Sequence, residues 1–479
     1  KKKFLLSEES PFLWLKNQNT RYLFRNTNTY NTILSNSYHP SLLKSGIKRS
    51  IALDVLSRAF LGMKNPEKLL PILRTELREM EDLDIPCFTS NTSINGVYVG
   101  KGEMVADMFE KPSFESLMTR FENFSHKDLE QQVQMIRSAF YAQLVKQPQP
   151  ISLISTDDYS QKQNLSLSDS TSLNQELLFR QVVKIAEDLE KNAIAPTTSS
   201  EAQRHSLMST DEGITWLSLE YRAKTNGFRF PGLNPGLYDG NSGITLFLSA
   251  LYKITQDERW KNLTDRSLKT IQNNIQQLTK YPKIQERLVK KTGISGTRGI
   301  CSIIYSLVKI GELLQEPILL EDAHSLTGLI TPDLIKKSSF PIIDGLASSI
   351  LGLLALSKTE LASASIKSHS LKIAKECGEY LLQYQQTDDK NIKTGFAHGL
   401  AGISYSFFRL FALTDDKRFL EAGKQALQQE QNFFSPIHKN WADDSSENTV
   451  FNVSWTNGAS GIALSRLGIS HIYNDSLIQ

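Results

Sequence analysis

The sequence predicts a mostly α-helical protein, in which an α+β region is followed by an α/α toroid of repeated helical hairpins. Three observations lead to this fold class. Glycine motifs recur along the second part, apolar residues between them follow a helical period, and the first part mixes short β-rich runs with helical patterns. In such a fold, each repeat supplies one helix that begins at the glycines and one that returns.

The recurring motif is a pair of glycines three residues apart at the start of an apolar stretch. Its copies are Gly240–Gly243, Gly296–Gly299, Gly345–Ser348, Gly399–Gly402 and Gly458–Gly461, and the third has Ser348 in place of the second glycine. They recur about every 50 to 60 residues, and self-similarity at a nearly fixed spacing indicates a repeat architecture. Glycine lets a loop bend and lets a helix start approach its neighbours closely, so we expect a helix to begin at each motif.

The stretches between the glycine motifs contain the returning helix of each predicted hairpin. Apolar residues there recur three or four positions apart, which is the spacing of one helical face. Two such series are Leu268, Ile271, Ile275 and Leu278, and Ile366, Ser370, Ile373, Cys377 and Leu381. An open stack of hairpins that serves only to bind protein is the alternative to a toroid.

The composition predicts three regions. Residues 1–146 form one mixed unit, with β-rich runs at residues 22–24 and 97–99. Residues 147–172 are rich in Ser, Asp, Gln and Asn without apolar periodicity, which is typical of a linker. Residues 173–479 form the toroid, which is expected to be incomplete at its C-terminal end. The start at Lys1 and the lack of a helix cap at the other end suggest a fragment.

Several function classes are excluded by composition. The 479 residues carry a net charge of +3 with basic residues dispersed, so the footprint of a nucleic-acid-binding protein is absent. No apolar run approaches the roughly 18 residues that span a membrane. Cys87, Cys301 and Cys377 lie far apart, which indicates neither a disulfide framework nor a cysteine-based structural zinc site and fits a cytoplasmic setting.

Local signatures in both parts resemble known enzymes. Three signatures resemble the lanthionine cyclase family in order and spacing: Gly236–Gly240 (GLYDG), Gly395–Gly402 (GFAHGLAG), and Asn440–Asp443 (NWAD) followed by Ser454–Ile462 (SWTNGASGI). Arg21–Tyr30 (RYLFRNTNTY) and a second stretch, which begins at Glu76 and includes Leu83–Phe88 (LDIPCF), resemble the end of the dehydratase domain that precedes such cyclases in type 2 lanthipeptide synthetases. The first region would then be the α+β tail of a kinase-like dehydratase domain.

The resemblance implies two reactions on a precursor peptide with a leader. The dehydratase phosphorylates Ser and Thr with ATP and magnesium and then eliminates phosphate, and the planar fork of an arginine suits the leaving phosphate. By the family's elimination motif, Arg21 and Thr27 are the candidate pair, although Arg21 could equally be an ordinary surface arginine. The nucleotide-handling residues would lie upstream of Lys1, so this stretch itself is expected to bind no cofactor.

The cyclase adds a cysteine thiol of the peptide to the dehydrated residue, and in the family a zinc ion ionises that thiol. The family places a cysteine ligand where this chain has Thr456, and a later Cys-His pair would fall beyond Gln479 or be missing, so no metal site is expected. Pro341 takes the place of a family acid, with Asp344 displaced from it. His398 matches the family's histidine and is the candidate general acid; packing between repeats is its alternative role.

The resulting prediction is a lanthipeptide synthetase fragment or degenerate copy that lacks cyclase activity. Trp455, Tyr238 and Asp239 are the predicted substrate-binding residues. Another family position, an arginine three residues before the tryptophan, is Asn452 here. The precursor peptide is the expected partner, and association with an export transporter is left open.

Two other function classes remain open. An α/α-toroid glycoside hydrolase would need two facing carboxylates, for which Asp239 and Asp344 are candidates because each precedes a repeat glycine. A non-catalytic peptide-binding toroid would use aromatic residues near the repeat starts, although such residues more often fill a core. The aromatic candidates are Phe228, Phe230, Tyr238, Phe396 and Trp455.

Overall fold

The described part of the chain forms two compact units. The computed structural model describes residues 2–58, 60, 66–100, 102–146, 175–194, 213–222, 227–280, 289, 292–385, 393–443 and 450–475. The first unit lies within residues 1–144, and the second is built from residue 175 onward. The predicted linker, residues 147–172, falls outside the described residues, and the predicted domain limits stay predictions.

The first unit is the predicted α+β region. Its strands are β1 (Asn19–Tyr22), β2 (Phe88–Asn91), β3 (Val97–Val99) and β4 (Glu103–Val105), which form an antiparallel sheet in that order. Its helices are α1 (Lys2–Leu5), α2 (Thr27–Ser37), α3 (Pro40–Leu43), α4 (Gly46–Leu53), α5 (Val55–Arg58), α6 (Leu70–Glu81), α7 (Ser113–Glu122) and α8 (His126–Lys146), with 3-10 turns at Leu13–Leu15 and Pro66–Leu69. Helix α6 lies at the centre of the unit because it contributes Ile72 to one apolar cluster and Met80 to another.

The second unit is a series of helical hairpins, preceded by α9 (Gln175–Asn192) and the two-stranded ribbon β5 (Glu220–Arg222) and β6 (Gly227–Arg229). The helices that begin at the glycine motifs are α10 (Asn241–Thr255), α12 (Ile300–Leu314), α15 (Leu346–Lys358), α17 (Leu400–Thr414) and α19 (Ala459–Ile469). The other helices are α11 (Glu258–Lys280), α13 (Ile318–Thr327), α14 (Pro332–Lys336), α16 (Ala364–Gln385) and α18 (Lys417–Gln431). Three short strands, β7 (Phe434–Ser435), β8 (Asn440–Asp443) and β9 (Val450–Phe451), precede α19 and pair antiparallel.

The hairpins form the two layers of the predicted α/α toroid. The glycine-started helices make the inner layer, in which each packs on the next along the series α10, α12, α15, α17 and α19. The returning helices α11, α13, α16 and α18 each pack on the inner helix of their own repeat. Inner helices such as α12 and α15 bury residues on all sides, whereas the outer helix α18 buries one face and therefore shows an apolar stripe.

In the second repeat, the helix begins three residues later than in the other repeats, relative to the first residue of the glycine motif. The residues that cap the inner helices are Gly240, Gly299, Gly345, Gly399 and Gly458, all with extended backbone. In the second repeat, therefore, Gly299 and not Gly296 begins the helix. Gly296 is a glycine for another reason, since a Cβ there would come within 2.3 Å of the Ser348 carbonyl oxygen of the next repeat.

Candidate functional site

The five loops that lead into the inner helices are joined by hydrogen bonds into a row, which we call the loop row. The residues involved all stand two positions before a capping glycine. The Tyr238 amide donates to the Thr297 carbonyl at 3.0 Å, and the Thr297 hydroxyl donates to the Ile343 carbonyl. The Ile343 amide donates to the Ala397 carbonyl, and the Ala397 amide to the Thr456 carbonyl, both at 3.0 Å. The loop row thus fixes the five loops relative to one another.

One polar side chain per repeat stands directly before each capping glycine. These residues are Asp239, Arg298, Asp344, His398 and Asn457. Arg298 and Asp239 form an ion pair, with Nε and Oδ2 2.9 Å apart, and the Arg298 guanidinium lies 5.4 Å from the ring centre of Tyr238. The Oδ1 atom of Asp344 accepts a hydrogen bond from the Ser339 hydroxyl at 3.1 Å. Of the two candidate glycosidase carboxylates, Asp239 is therefore paired with an arginine of the second loop, and Asp344 accepts a hydrogen bond within its own loop.

His398 is exposed in the fourth loop and lines a shallow cavity of about 60 Å³. The aromatic walls of the cavity are Phe340 and Tyr384, whose rings stack 3.6 Å apart. Lys393 adds a second basic side chain, and Pro341, at the position of the family acid, also lines it. The structure therefore surrounds His398 with aromatic, aliphatic and basic groups, and places Asp344 in the neighbouring loop.

The fourth and fifth loops are in close contact. Gly395 adopts φ +99°, which favours glycine, and a Cβ on it would lie 2.5 Å from both the Thr456 carbonyl oxygen and the Asn457 Cα. On the fifth loop, Trp455 is 37% exposed and its ring packs against Phe396 with centres 5.6 Å apart. Two of the predicted substrate-contacting and catalytic loops are thus brought together at Gly395.

Thr456 is surrounded by hydroxyl and backbone groups. Its own hydroxyl lies 3.0 Å from the Ser454 hydroxyl, and its carbonyl accepts the bond from Ala397 described above. Asn452 uses its carbonyl to accept from the Asn440 side chain at 3.1 Å. Within the described ranges, no three His, Cys, Asp or Glu side chains lie close enough together to hold a metal ion.

The cysteine thiols are poor candidates for ionised sulfur. Cys301 and Cys377 are fully buried, and burial raises the pKa of Cys301 to about 12 and that of Cys377 well above its ordinary value. Cys87 is exposed and belongs to the first unit. The two buried thiols, Cys301 and Cys377, therefore remain protonated at neutral pH.

The candidate elimination pair stands on two elements of the first unit. Arg21 is exposed in β1, where it faces Thr89 of β2, and Thr27 is the first residue of α2, after the capping residue Asn26. Between them in sequence lies Arg25, which is part of a buried network rather than of an open site. The structure therefore exposes Arg21 to solvent at the edge of the sheet.

Arg25, Tyr30 and Glu76 all belong to the stretches that carry the resemblance, but the sequence did not predict that they form a buried network. The Arg25 guanidinium bonds both carboxylate oxygens of Glu76, at 2.6 and 3.1 Å, and also the Leu56 carbonyl at 2.7 Å. The Tyr30 hydroxyl donates to Glu76 at 2.6 Å, and burial together with this carboxylate raises the pKa of Tyr30 well above its ordinary value. The network joins the loop before α2 to α6, so it fixes the segment on which Arg21 and Thr27 stand.

A second missed residue is Glu430, which is fully buried at the end of α18 beneath the fourth loop. A signal for it is present in the sequence. Glu430 follows Ala426 and Leu427 at helical spacing, and both of these are buried apolar residues of the same helix. A carboxyl group on the apolar face of an amphipathic helix indicates a specific internal partner.

Comparison with known protein families decides the classification. The family model of lanthionine synthetase C-like proteins matches residues 231–479, which is more than half of the chain. The chain belongs to the lanthionine synthetase C-like family. A second family model, a domain of unknown function (DUF4135), matches residues 1–91 of this lanthionine synthetase C-like protein.

A curated relative matches along nearly the whole chain. The lacticin 481/lactococcin biosynthesis protein LcnDR2 of Lactococcus lactis subsp. lactis is 23% identical over 453 residues, which cover 93% of this chain and 43% of the relative. The chain therefore spans less than half the length of that relative. Together with the two family models, this match confirms the resemblance to type 2 lanthipeptide synthetases.

Solved structures give weaker likenesses. Nisin cyclase matches with a TM-score of 0.40 and 16% identity, over 63% of this chain and 73% of that one. A D-mannose isomerase matches with a TM-score of 0.26 and 11% identity, over 55% of this chain and 92% of that one. The assignment of the lanthionine synthetase C-like unit thus depends on its sequence and on its own helical layers. Among the described helices, none is long and apolar enough to cross a membrane.

Proposed function

We propose that this chain is part of a synthetase that dehydrates a precursor peptide and handles it on a cyclase-like toroid that has lost zinc-dependent ring closure. The observation that carries the proposal is the position of Thr456. It stands in the loop row, two residues before the capping Gly458, where the resemblance places a cysteine ligand. In the cyclase-like unit, peptide binding would then remain without the metal chemistry.

The chemistry of the groups around Thr456 supports this proposal. Zinc in proteins is bound by thiolate, imidazole or carboxylate, and a catalytic zinc needs three such ligands. Thr456 and Ser454 offer neutral hydroxyls, which stay protonated at neutral pH. Thr456 and Ser454 therefore do not fit a zinc ion as ligands.

His398 is the proposed proton donor of the ring-closing reaction that the family carries out. Its exposure beside the cavity leaves its ring accessible to a peptide. Trp455 and Tyr238, which is 63% exposed, are the proposed peptide contacts on the loop row. Asp239 is the third, but its ion pair with Arg298 would make it act through that arginine. A precursor peptide would lie along these loops, close to the inner helix starts.

The zinc proposal predicts that the purified chain, dialysed against a weak chelator, retains well below one zinc ion per molecule. It also predicts that the chain does not add a cysteine thiol to a dehydrated peptide, with or without supplied zinc. The reason is that Thr456 cannot help to hold the zinc ion that would ionise the thiol of the peptide. Elemental analysis and mass spectrometry of alkylated peptide check the two parts. Stoichiometric zinc, or thioether formation by the unmodified chain, would contradict the proposal.

For the first unit, we propose that Arg21 binds the leaving phosphate while Thr27 assists the elimination. In this step a base takes the α-proton of a phosphoserine, the electron pair left on Cα forms the Cα=Cβ double bond, and the Cβ–O bond breaks. Phosphate leaves with the electrons of that bond, and dehydroalanine and inorganic phosphate are the products. Phosphorylation itself would require ATP and magnesium bound by residues outside this stretch. The exposure of Arg21 supports the role because a peptide phosphate can reach it.

Arg21→Lys is expected to lower the rate of phosphate release from a synthetic phosphoserine precursor peptide by roughly tenfold or more, because lysine keeps the charge but loses the two-pronged contact. Released phosphate and the mass of the dehydrated peptide are measured. The matched control is Arg120→Lys, an exposed arginine on α7, which should leave the rate unchanged. Equal rates for both variants, or no release by the unmodified chain, would remove Arg21 from the proposal.

A further inference from the structure

Glu430 holds both ends of the loop that carries His398. Its Oε1 atom accepts hydrogen bonds from the Gly395 amide at 3.2 Å and the Ala401 amide at 3.1 Å. These two amides stand three residues before and three residues after His398 in the sequence. One carboxylate oxygen therefore closes the loop beneath the histidine.

The fourth loop is held by the carboxyl group of a buried side chain, whereas the first and second loops are held by neutral side chains. In the first repeat, the Asn234 side chain accepts from the Gly236 amide at 2.7 Å. In the second, the Ser295 hydroxyl accepts from the Gly299 amide at 3.1 Å. Neutral groups are sufficient for such bonds, so a fully buried carboxyl needs a further reason, because burial of a charge is costly.

The groups around Glu430 set its charge. Burial raises the pKa of Glu430 to about 7, while the Gly395 amide, the Arg466 guanidinium and the Ala401 amide act in the opposite direction. Arg466 comes from α19 of the fifth repeat, donates to the Gln431 side chain at 3.0 Å and lies 4.8 Å from the ring centre of Trp441. Within the described residues, the hydrogen-bond donors to the Glu430 carboxyl are the backbone amides of Gly395 and of Ala401 in α17, and Arg466 is the charged side chain that acts on it.

The loop that Glu430 closes is also the loop that touches Thr456. Gly395, which receives one of the two hydrogen bonds, is the residue packed on the Thr456 and Asn457 backbone at positive φ. If that hydrogen bond were lost, Gly395 could relax toward ordinary backbone angles and His398 would move relative to the fifth loop. The position of the imidazole thus depends on a side chain that does not itself reach the surface.

We propose that Glu430 is a positioning residue that closes the Gly395–Ala401 loop from below and thereby sets the place of the His398 imidazole relative to the fifth loop. The functional meaning of this inference rests on the proposed role of His398. The position of the imidazole, however, can be measured without any catalytic assay. The Glu430 carboxyl serves as a bridge between two backbone amides.

The test is nuclear magnetic resonance of the full chain with labelled histidine, in which the His398 signal is assigned by its loss in His398→Ala. Glu430→Ala is expected to shift the His398 ring signals and to speed hydrogen exchange of the Gly395 and Ala401 amides by at least tenfold. Glu430→Gln should restore both, because its amide oxygen can accept the same two bonds. The matched control Glu421→Gln, on the exposed side of α18, should change neither.

A pH series separates positioning from mere stability. In the unmodified chain, the His398 signal should show, besides its own titration, a second step near pH 7 that is absent in Glu430→Gln. An unchanged His398 signal in Glu430→Ala, or the same second step in Glu430→Gln, overturns the inference. If Glu430→Ala fails to fold, the comparison of the unmodified chain with Glu430→Gln decides. The histidine signals and the amide exchange rates do not depend on peptide binding or on any reaction. A failure of the proposed function would therefore leave this test intact.

Discussion

Gly395→Ala is expected to destabilise the second unit by about 3 kcal/mol. The substitution has two costs: the φ of +99° disfavours a side chain by about 1–2 kcal/mol, and overpacking against neighbours adds roughly 1–3 kcal/mol. The neighbours are backbone atoms of Thr456 and Asn457, 2.5 Å from the added Cβ, and they cannot rotate away as a flexible side chain could. The fourth and fifth loops must therefore separate.

Denaturant unfolding of the full chain, followed by probes in the second unit, measures this effect. The matched control is Gly293→Ala, because Gly293 also has positive φ (+68°) but no described atom lies within 4 Å of its added Cβ. That variant should lose only about 1 kcal/mol, the backbone cost alone. If Gly395→Ala and Gly293→Ala were equally stable, the close contact of the two loops would not exist in solution.

Glu76→Ala is expected to destabilise the first unit by about 3–5 kcal/mol, the loss typical of breaking a buried ion pair. The Arg25 guanidinium would lose both of its carboxylate bonds and the Tyr30 hydroxyl would lose its acceptor. Both groups are held in the interior, because Tyr30 is fully buried and the Arg25 side chain is only 15% exposed. An uncompensated buried charge would then remain.

The control for this variant is Glu79→Ala, three residues along the same helix. Glu79 pairs with Arg78 at 3.1 Å, but the two side chains are 30% and 48% exposed, so water screens the pair and its removal should change stability by less than about 1 kcal/mol. Thermal unfolding monitored in the first unit distinguishes the two. Similar losses for both variants would show that the Arg25–Glu76–Tyr30 network does not hold the unit together.

Local patterns were sufficient to predict the helices of the second unit. The apolar series that begins at Leu268 lies on the buried face of α11, and the series from Ile366 to Leu381 lies on that of α16. These predictions are confirmed. They were possible because helical periodicity depends on residues that are close together in the sequence. The mostly α fold with a helical toroid was predictable for the same reason.

Contacts between repeats could not be predicted in the same way. Gly296 and Gly299 look alike in sequence, yet one permits a close approach to Ser348 and the other begins α12. Nothing local in the sequence distinguishes these two uses of glycine. The partners of Glu430 could not be predicted for a related reason, because Gly395 and Ala401 are about 30 positions away in the chain and contribute backbone groups without a residue signature.

The candidate site residues themselves were chosen by resemblance, and their roles stay predictions. The structure adds their surroundings. His398 stands beside a cavity, Asp239 is paired with Arg298, and Arg21 is open to solvent. Each surrounding depends on elements that are distant in sequence, which is why a motif could suggest the residue but not its neighbours.

The loop row has one consequence for how such a protein can change. Its last connection uses the carbonyl oxygen of residue 456 and leaves that residue's side chain out of the bond. A cysteine in place of the threonine would keep this connection, since both residues present the same backbone oxygen, although the contact of the Thr456 hydroxyl with Ser454 would change. Reactivity at that position is therefore separable from architecture, and a sulfur could be gained or given up there while the surrounding scaffold keeps its shape.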